Sequence, residues 1–221
     1  MPTHDARSHR YSIADTLPIS VDDLDAGMNV LVSGPAMSGK RRLVFDLLAP
    51  PPQPHDPIVV LTTDDPAARV RAQFEDRGVS VDPSTVRIVD ASGAPGDDDP
   101  VVERLSSPGN LTGMGVGFTR AVDGMGTPST ARVGFLSIST LLQYVDDQRT
   151  FSFLHVLLRR SSAAGYLGVY SIDPTTHDEK FVNVVTSIFD AVIDVREVDA
   201  EREVRVRGLD SVDPVWMALS N

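Results

Sequence analysis

One heptapeptide limits the folds open to this chain more than any other feature. Gly34-Pro35-Ala36-Met37-Ser38-Gly39-Lys40 fits the pattern G-x-x-x-x-G-K. In that pattern glycines let successive backbone N–H groups turn toward an anion, and the lysine reaches its outer oxygens. The loop follows a short apolar run, Met28 to Ser33, that suits a strand covered on both faces. It opens onto Arg41 to Leu48, where Leu43, Val44, Leu47 and Leu48 share a helical stripe before Pro50-Pro51-Pro52 ends it. The chain has 18 arginines but lysine only at Lys40 and Lys180. With so little lysine, roughly 0.01 chance matches to the motif are expected. A turn that merely needs glycine explains Gly34 and Gly39, but not a lysine in a chain that otherwise uses arginine.

The rest of the sequence repeats the strand-then-helix order. Pro57 to Thr63, Val86 to Val89, Val133 to Ile138 and Tyr166 to Ile172 read as further strands. Helices are expected after Pro66, from Phe151 to Ser161 and from about His177 to Phe189, and Leu111 to Val122 is weakly helical despite Gly113, Gly115 and Gly117. Residues 91–110, rich in Gly, Pro, Asp and Ser, read as the longest loop. Ala191 to Val195 and Glu203 to Arg207 read as a hairpin, with Trp216 and Met217 sealing a sheet edge. The pattern predicts an α/β fold: a mostly parallel central sheet flanked by helices and closed by a C-terminal antiparallel hairpin. Residues 1–20 are polar and aperiodic and are expected to form a flexible leader, with 21–221 as one nucleotide-binding domain.

Composition removes several classes of chemistry. With no cysteine there is no disulfide framework, thiol nucleophile, thiolate zinc site or iron–sulfur cluster. No stretch approaches the roughly 18 apolar residues of a membrane span, and no apolar export segment opens the chain, so a soluble, cytoplasmic protein is expected with no membrane partner. The 31 acids, 25 of them aspartate, give a net charge of −11, which repels phosphate backbones and argues against nucleic acid as a partner. Many short acids and almost no lysine resemble the surfaces of proteins from salt-loving archaea.

The position after the loop lysine normally carries a Ser or Thr hydroxyl that ligates Mg²⁺, and here it is Arg41. A guanidinium cannot bind a cation, but it can neutralise phosphate. Nucleotide binding without metal is therefore expected, while hydrolysis loses the metal's charge stabilisation at the leaving oxygen. Four segments together resemble the RecA superfamily, in particular its KaiC-like branch and short haloarchaeal members of it, over roughly residues 20–210. They are the loop from Ser33 to Lys40, the strand end Thr62-Thr63-Asp64-Asp65-Pro66, the strand end Ser137-Ile138-Ser139-Thr140-Leu141-Leu142, and the hairpin from Phe189 to Gly208.

The resemblance implies a RecA-like fold and ATP as ligand. Gly34, Pro35, Ala36, Met37, Ser38, Gly39, Lys40 and Arg41 would then form the nucleotide-binding set, with Asp64 and Asp65 as the catalytic acids that polarise the attacking water. The position matching the family's magnesium aspartate is Leu136, so no metal ligands are assigned. Asp65, just before Pro66, reads equally well as a helix cap. No His-x-x-x-His spacing exists, and His177 with Asp178 and Glu179 reads as a helix start. Arg202, Arg205 and Arg207 read as a solvated face, with a finger role at a neighbouring subunit's nucleotide as the alternative. The first functional reading is a KaiC-like ATP-binding regulatory or signalling protein, poor or inactive in hydrolysis, with a protein partner or a homo-oligomer. An active ATPase using Asp64 or Asp65 and a nucleotide-independent interaction scaffold are the alternatives.

Overall fold

A computed structural model describes residues 9–13, 16–19, 23–50, 56–199 and 201–219. In chain order the elements are β1 (Arg10–Ser12), β2 (Asp23–Asp25), β3 (Asn29–Ser33), α1 (Lys40–Leu48), β4 (Ile58–Thr62), α2 (Ala67–Glu75), β5 (Val86–Asp90), β6 (Val102–Arg104) and α3 (Leu111–Gly124). There follow β7 (Arg132–Leu136), α4 (Ile138–Leu141), α5 (Asp147–Ala163), β8 (Leu167–Ile172), α6 (Glu179–Thr186), β9 (Ala191–Val198), β10 (Glu201–Arg207) and β11 (Met217–Ala218).

Nine strands form one sheet in the order β11-β10-β9-β3-β8-β7-β4-β5-β6. From β9 to β6 every pairing is parallel, and β9, β10 and β11 pair antiparallel. Every residue of β3, β4, β7 and β8 is buried, as expected of strands covered on both faces. Side chains alternate between two cores: Val30, Val32, Ile58 and Val60 meet Leu43, Leu47, Val70 and Phe74 from α1 and α2. Leu31, Val59, Leu61 and Phe135 meet Phe118 from α3 and Leu154 and Leu158 from α5 on the other face.

The architecture is the α/β fold expected. The chain differs from the sequence reading where tertiary contacts override local pattern. The strand expected to reach Ile138 ends at Leu136, because Ser137 adopts a left-handed backbone (φ 68°) and its hydroxyl accepts from the Thr140 N–H to start α4. The loop expected over 91–110 contains β6, whose three half-buried residues give a weak strand signal but pair in parallel with β5. The leader expectation is also corrected within the described residues: β1 pairs with β2, and Tyr11, Ile13 and Leu17 are buried in the core. Residues 1–8, 14, 15 and 20 of that leader lie outside the described residues. No helix among the described residues is long and apolar enough to cross a membrane.

A buried cation fastens this N-terminal hairpin to the sheet. Arg132, 3% exposed at the start of β7, donates to the Leu47 carbonyl (2.7 Å) and the Ser12 carbonyl (2.9 Å) and pairs with Asp56 at 3.3 Å. Its guanidinium also lies 5.3 Å from the Tyr11 ring centre. The Tyr11 hydroxyl donates to the Gly165 carbonyl and accepts from the Ala131 N–H, and burial pushes it up to about 12. Replacing Arg132 by Leu strands two carbonyls and one carboxylate. Urea unfolding of Arg132→Leu should therefore show a loss of about 3–5 kcal/mol relative to wild type, and a loss under about 1 kcal/mol would contradict this account.

Candidate functional site

The phosphate loop crosses from the end of β3 to the start of α1. It leaves the sheet beside β8, where the Gly34 N–H donates to the Ile172 carbonyl at 3.2 Å. Pro35 is half-buried, Ala36 and Met37 are exposed, and Ser38 turns inward at 2% exposure. Met37 and Gly39 both take left-handed backbone angles, φ 63° and 88°, which roll the loop over before the helix begins. A Cβ on Gly34 would lie 2.6 Å from the Val195 carbonyl oxygen and 2.8 Å from Ser38 Oγ, so only glycine fits. Gly39 caps α1 with no side chain, leaving the helix's first N–H groups free to meet an anion.

Lys40, the first residue of α1, folds back over this loop. Its Nζ donates to the Pro35 carbonyl at 3.0 Å and lies 3.8 Å from Asp173 Oδ2. Burial lowers the Lys40 amine, and the negative charges of Asp173 and Asp64 act against that fall. Lys40 lines a cleft of ≈ 480 Å³ with Arg41, Asp64, Leu136, Ser137 and Asp173, a volume in the range of small-molecule sites. The cleft opens at the C-terminal ends of β3, β8, β7 and β4, where open parallel sheets place their ligands.

The two acids expected to act together are separated by the fold. Asp64 follows β4, is exposed and faces the cleft. Asp65 does not line it: it is 4% exposed and is held in ion pairs by Arg41 and, at 3.2 Å, by Arg69. The expectation of two adjacent acids facing one ligand is corrected: of the two, Asp64 alone lines the cleft. The cap reading of Asp65 is also corrected, because Pro66 precedes α2 with no side-chain cap. The Ala67 N–H instead donates to Asp90 Oδ2 at 2.8 Å, from the end of β5.

The donor set does not suit Mg²⁺. Arg41 occupies the hydroxyl position and spends its charge on Asp65, while Leu136 presents an alkyl group at the end of β7. Among the described residues no cluster of three or more His, Asp or Glu side chains is arranged to hold a metal. A polyphosphate fits better. Ser38 Oγ is buried against Gly34 with no hydrogen-bond partner, an orphaned hydroxyl inside a glycine cradle beside a lysine and a helix N-terminus.

Asp173 and Asp90 escaped the sequence reading. Asp173 follows β8, the strand between β3 and β7, and only the strand order brings it to Lys40. The Asp173-Pro174-Thr175 turn was its one local signal. Burial pushes the Asp173 carboxyl up, but hydrogen bonds from the Thr175 hydroxyl and N–H, the Lys40 charge and the Ala36 N–H together hold it below its ordinary value. The arginines read as one solvated face divide: Arg205 and Arg207 both fork onto Asp194 of β9. His177 adjoins a helix start as expected, though Asp178 is the cap and accepts from the Lys180 N–H.

A depressed Asp173 stabilises the fold above its ordinary value of 3.8, and that contribution is lost as pH falls below it. Asp173→Asn should therefore cost about 1–2 kcal/mol at neutral pH, with the difference from wild type shrinking in thermal melts taken progressively below that value. A difference that persists undiminished into acid would contradict the assignment.

No curated protein matches the chain. Among solved structures it is similar to the KaiC-like protein PH0186 from the hyperthermophilic archaeon Pyrococcus horikoshii OT3. The TM-score is 0.64 at 14% identity, covering 95% of this chain and 93% of that one. At that identity the likeness establishes the fold, which is the RecA-like fold of a KaiC-like protein, with the glycine–lysine loop at its expected place after a central strand. Residues 27–195, from the turn before β3 to the middle of the hairpin's first strand, match the model of a family described only as a family of unknown function, DUF7504, and the chain belongs to that family.

Proposed function

We propose that the chain binds ATP through its phosphate loop without a magnesium ion and serves as a regulatory or signalling module with little or no hydrolysis. The observation that carries this reading is the Arg41–Asp65 ion pair beside Lys40 and the unpartnered Ser38 hydroxyl. A cation fixed where a metal ligand normally stands offers no oxygen to a metal, and its pairing withdraws Asp65 from water activation. Lys40, Ser38 and the N–H groups of the loop would hold the phosphates, and bound ATP would bring a charge of about −4 that these groups neutralise. Asp64, facing the cleft but without a metal to align water, is the one acid of the pair left for any residual turnover.

Calorimetric titration of ATP in concentrated KCl, with Mg²⁺ and with EDTA, tests the reading. Saturable binding is expected in both, weakened about tenfold to hundredfold in Lys40→Ala, since a hydrogen bond from a charged donor is worth about 1.5–3 kcal/mol. Phosphate release should stay at background and be unmoved by Asp64→Asn. No binding by folded wild type overturns the proposal, and Mg²⁺-dependent turnover abolished by Asp64→Asn replaces it with an ATPase.

A further inference from the structure

The C-terminal hairpin overhangs the phosphate loop. β9 runs parallel to β3 with Asp194 opposite Ser33, the last residue of β3, so Val195 to Val198 continue past the sheet alongside the loop. Both motif glycines meet this overhang. The Val195 carbonyl presses on Gly34, and Arg202 of β10 lies on Gly39: a Cβ there would be 2.9 Å from its Cδ and Nε and 3.3 Å from its Cζ. Glycine at position 39 thus serves two ends, a left-handed turn and the close approach of a guanidinium.

Arg202 differs from the other arginines of the hairpin. Arg196 is paired with Glu203, and Arg205 and Arg207 with Asp194. Glu197 stands directly opposite Arg202 in the strand register, yet among the described residues Arg202 forms no ion pair. The other cations of the loop are committed: Lys40 lies near Asp173, and Arg41 is held by Asp65. A half-buried guanidinium with no ion pair among the described residues therefore rests on the turn before α1.

We infer that Arg202 is a phosphate-contacting residue of this site, supplied in cis by the hairpin, and that it takes the polyphosphate of a nucleoside di- or triphosphate in a bidentate grip. The inference rests on the nucleotide reading above and adds a binding residue to it. Without a metal, the phosphate charge must be met by side chains, and guanidinium offers planar paired donors matched to two phosphate oxygens. Because Arg202 forms no ion pair among the described residues, engaging phosphate breaks none there.

The test titrates ATP and ADP in EDTA into wild type, Lys40→Ala, Arg202→Gln and Arg202→Lys, with thermal melts confirming that each is folded. Arg202→Gln should bind about tenfold or more weakly, and Arg202→Lys, which keeps the charge but not the fork, should fall between it and wild type. Wild-type affinity in Arg202→Gln, with binding lost in Lys40→Ala, overturns the role of Arg202 and leaves the nucleotide reading standing. Equal weakening in the Gln and Lys variants overturns a phosphate contact in favour of stacking on the base. Should Arg202→Gln fail to fold, Arg202→Lys decides alone: severalfold weaker binding supports the inference and unchanged binding overturns it. Absence of binding by folded wild type removes the nucleotide reading itself.

Discussion

The site is organised by one buried carboxylate that has to be neutralised. Asp65 is almost fully removed from water at the junction of β4 and α2, and an isolated charge there would cost several kcal/mol. Arg41 reaches it from the first turn of α1 and Arg69 from the first turn of α2, so one acid ties together two helices that pack on the same face of the sheet. Arg69 is largely exposed and contributes little, which leaves Arg41 as the partner that matters. The pairing also fixes what the cleft can be. Arg41, in the position after the loop lysine, is paired with a buried acid, and the facing strand end is leucine. Together they form one consistent electrostatic arrangement, on which the proposed absence of hydrolysis rests.

The β3 loop gains rigidity from both sides. Ile172 at the end of β8 accepts from Gly34, and the β9–β10 hairpin packs its backbone and Arg202 against the two motif glycines. The hairpin is braced in turn by Trp216, whose ring centre lies 3.9 Å from the Arg196 and 4.8 Å from the Arg205 guanidinium group, and by β11 pairing with β10. A stack of this kind contributes about 0.5–1 kcal/mol at a partly exposed site, enough to hold a strand edge in place. Trp216 and Met217 thus lie at the sheet's edge, as their apolar character near the end of the sequence indicates.

What was legible in the sequence was whatever has a local cause. The glycine–lysine loop announces itself by spacing, and β3, β4 and β8 by unbroken apolar runs. β6 was not legible because its half-buried Val102-Glu103-Arg104 earns its strand conformation only from β5. The capping of α2 by Asp90 links residues 23 positions apart, and the approach of Asp173 to Lys40 depends on β8 lying beside β3. Asp64 and Asp65 are adjacent in sequence and alike in chemistry, yet one faces the cleft and the other is buried under two arginines. Residue identity alone could not separate them, because the distinction is made by helices that lie elsewhere in the chain.

The way Tyr11 and Arg132 hold the N-terminal hairpin has a bearing on the order of assembly. Tyr11 bonds to Gly165, 154 residues away, and Arg132 bonds to Ser12 across 120. On a ribosome β1 and its pairing partner β2 emerge well before Ala131, Arg132 and Gly165, which anchor them to the main sheet. Closing so long a loop is slow, so β1 takes its final place well after it has been made. The nascent chain therefore holds β1 undocked until Gly165 has been made, just before β8 and β9, the strands that flank β3 and its phosphate loop.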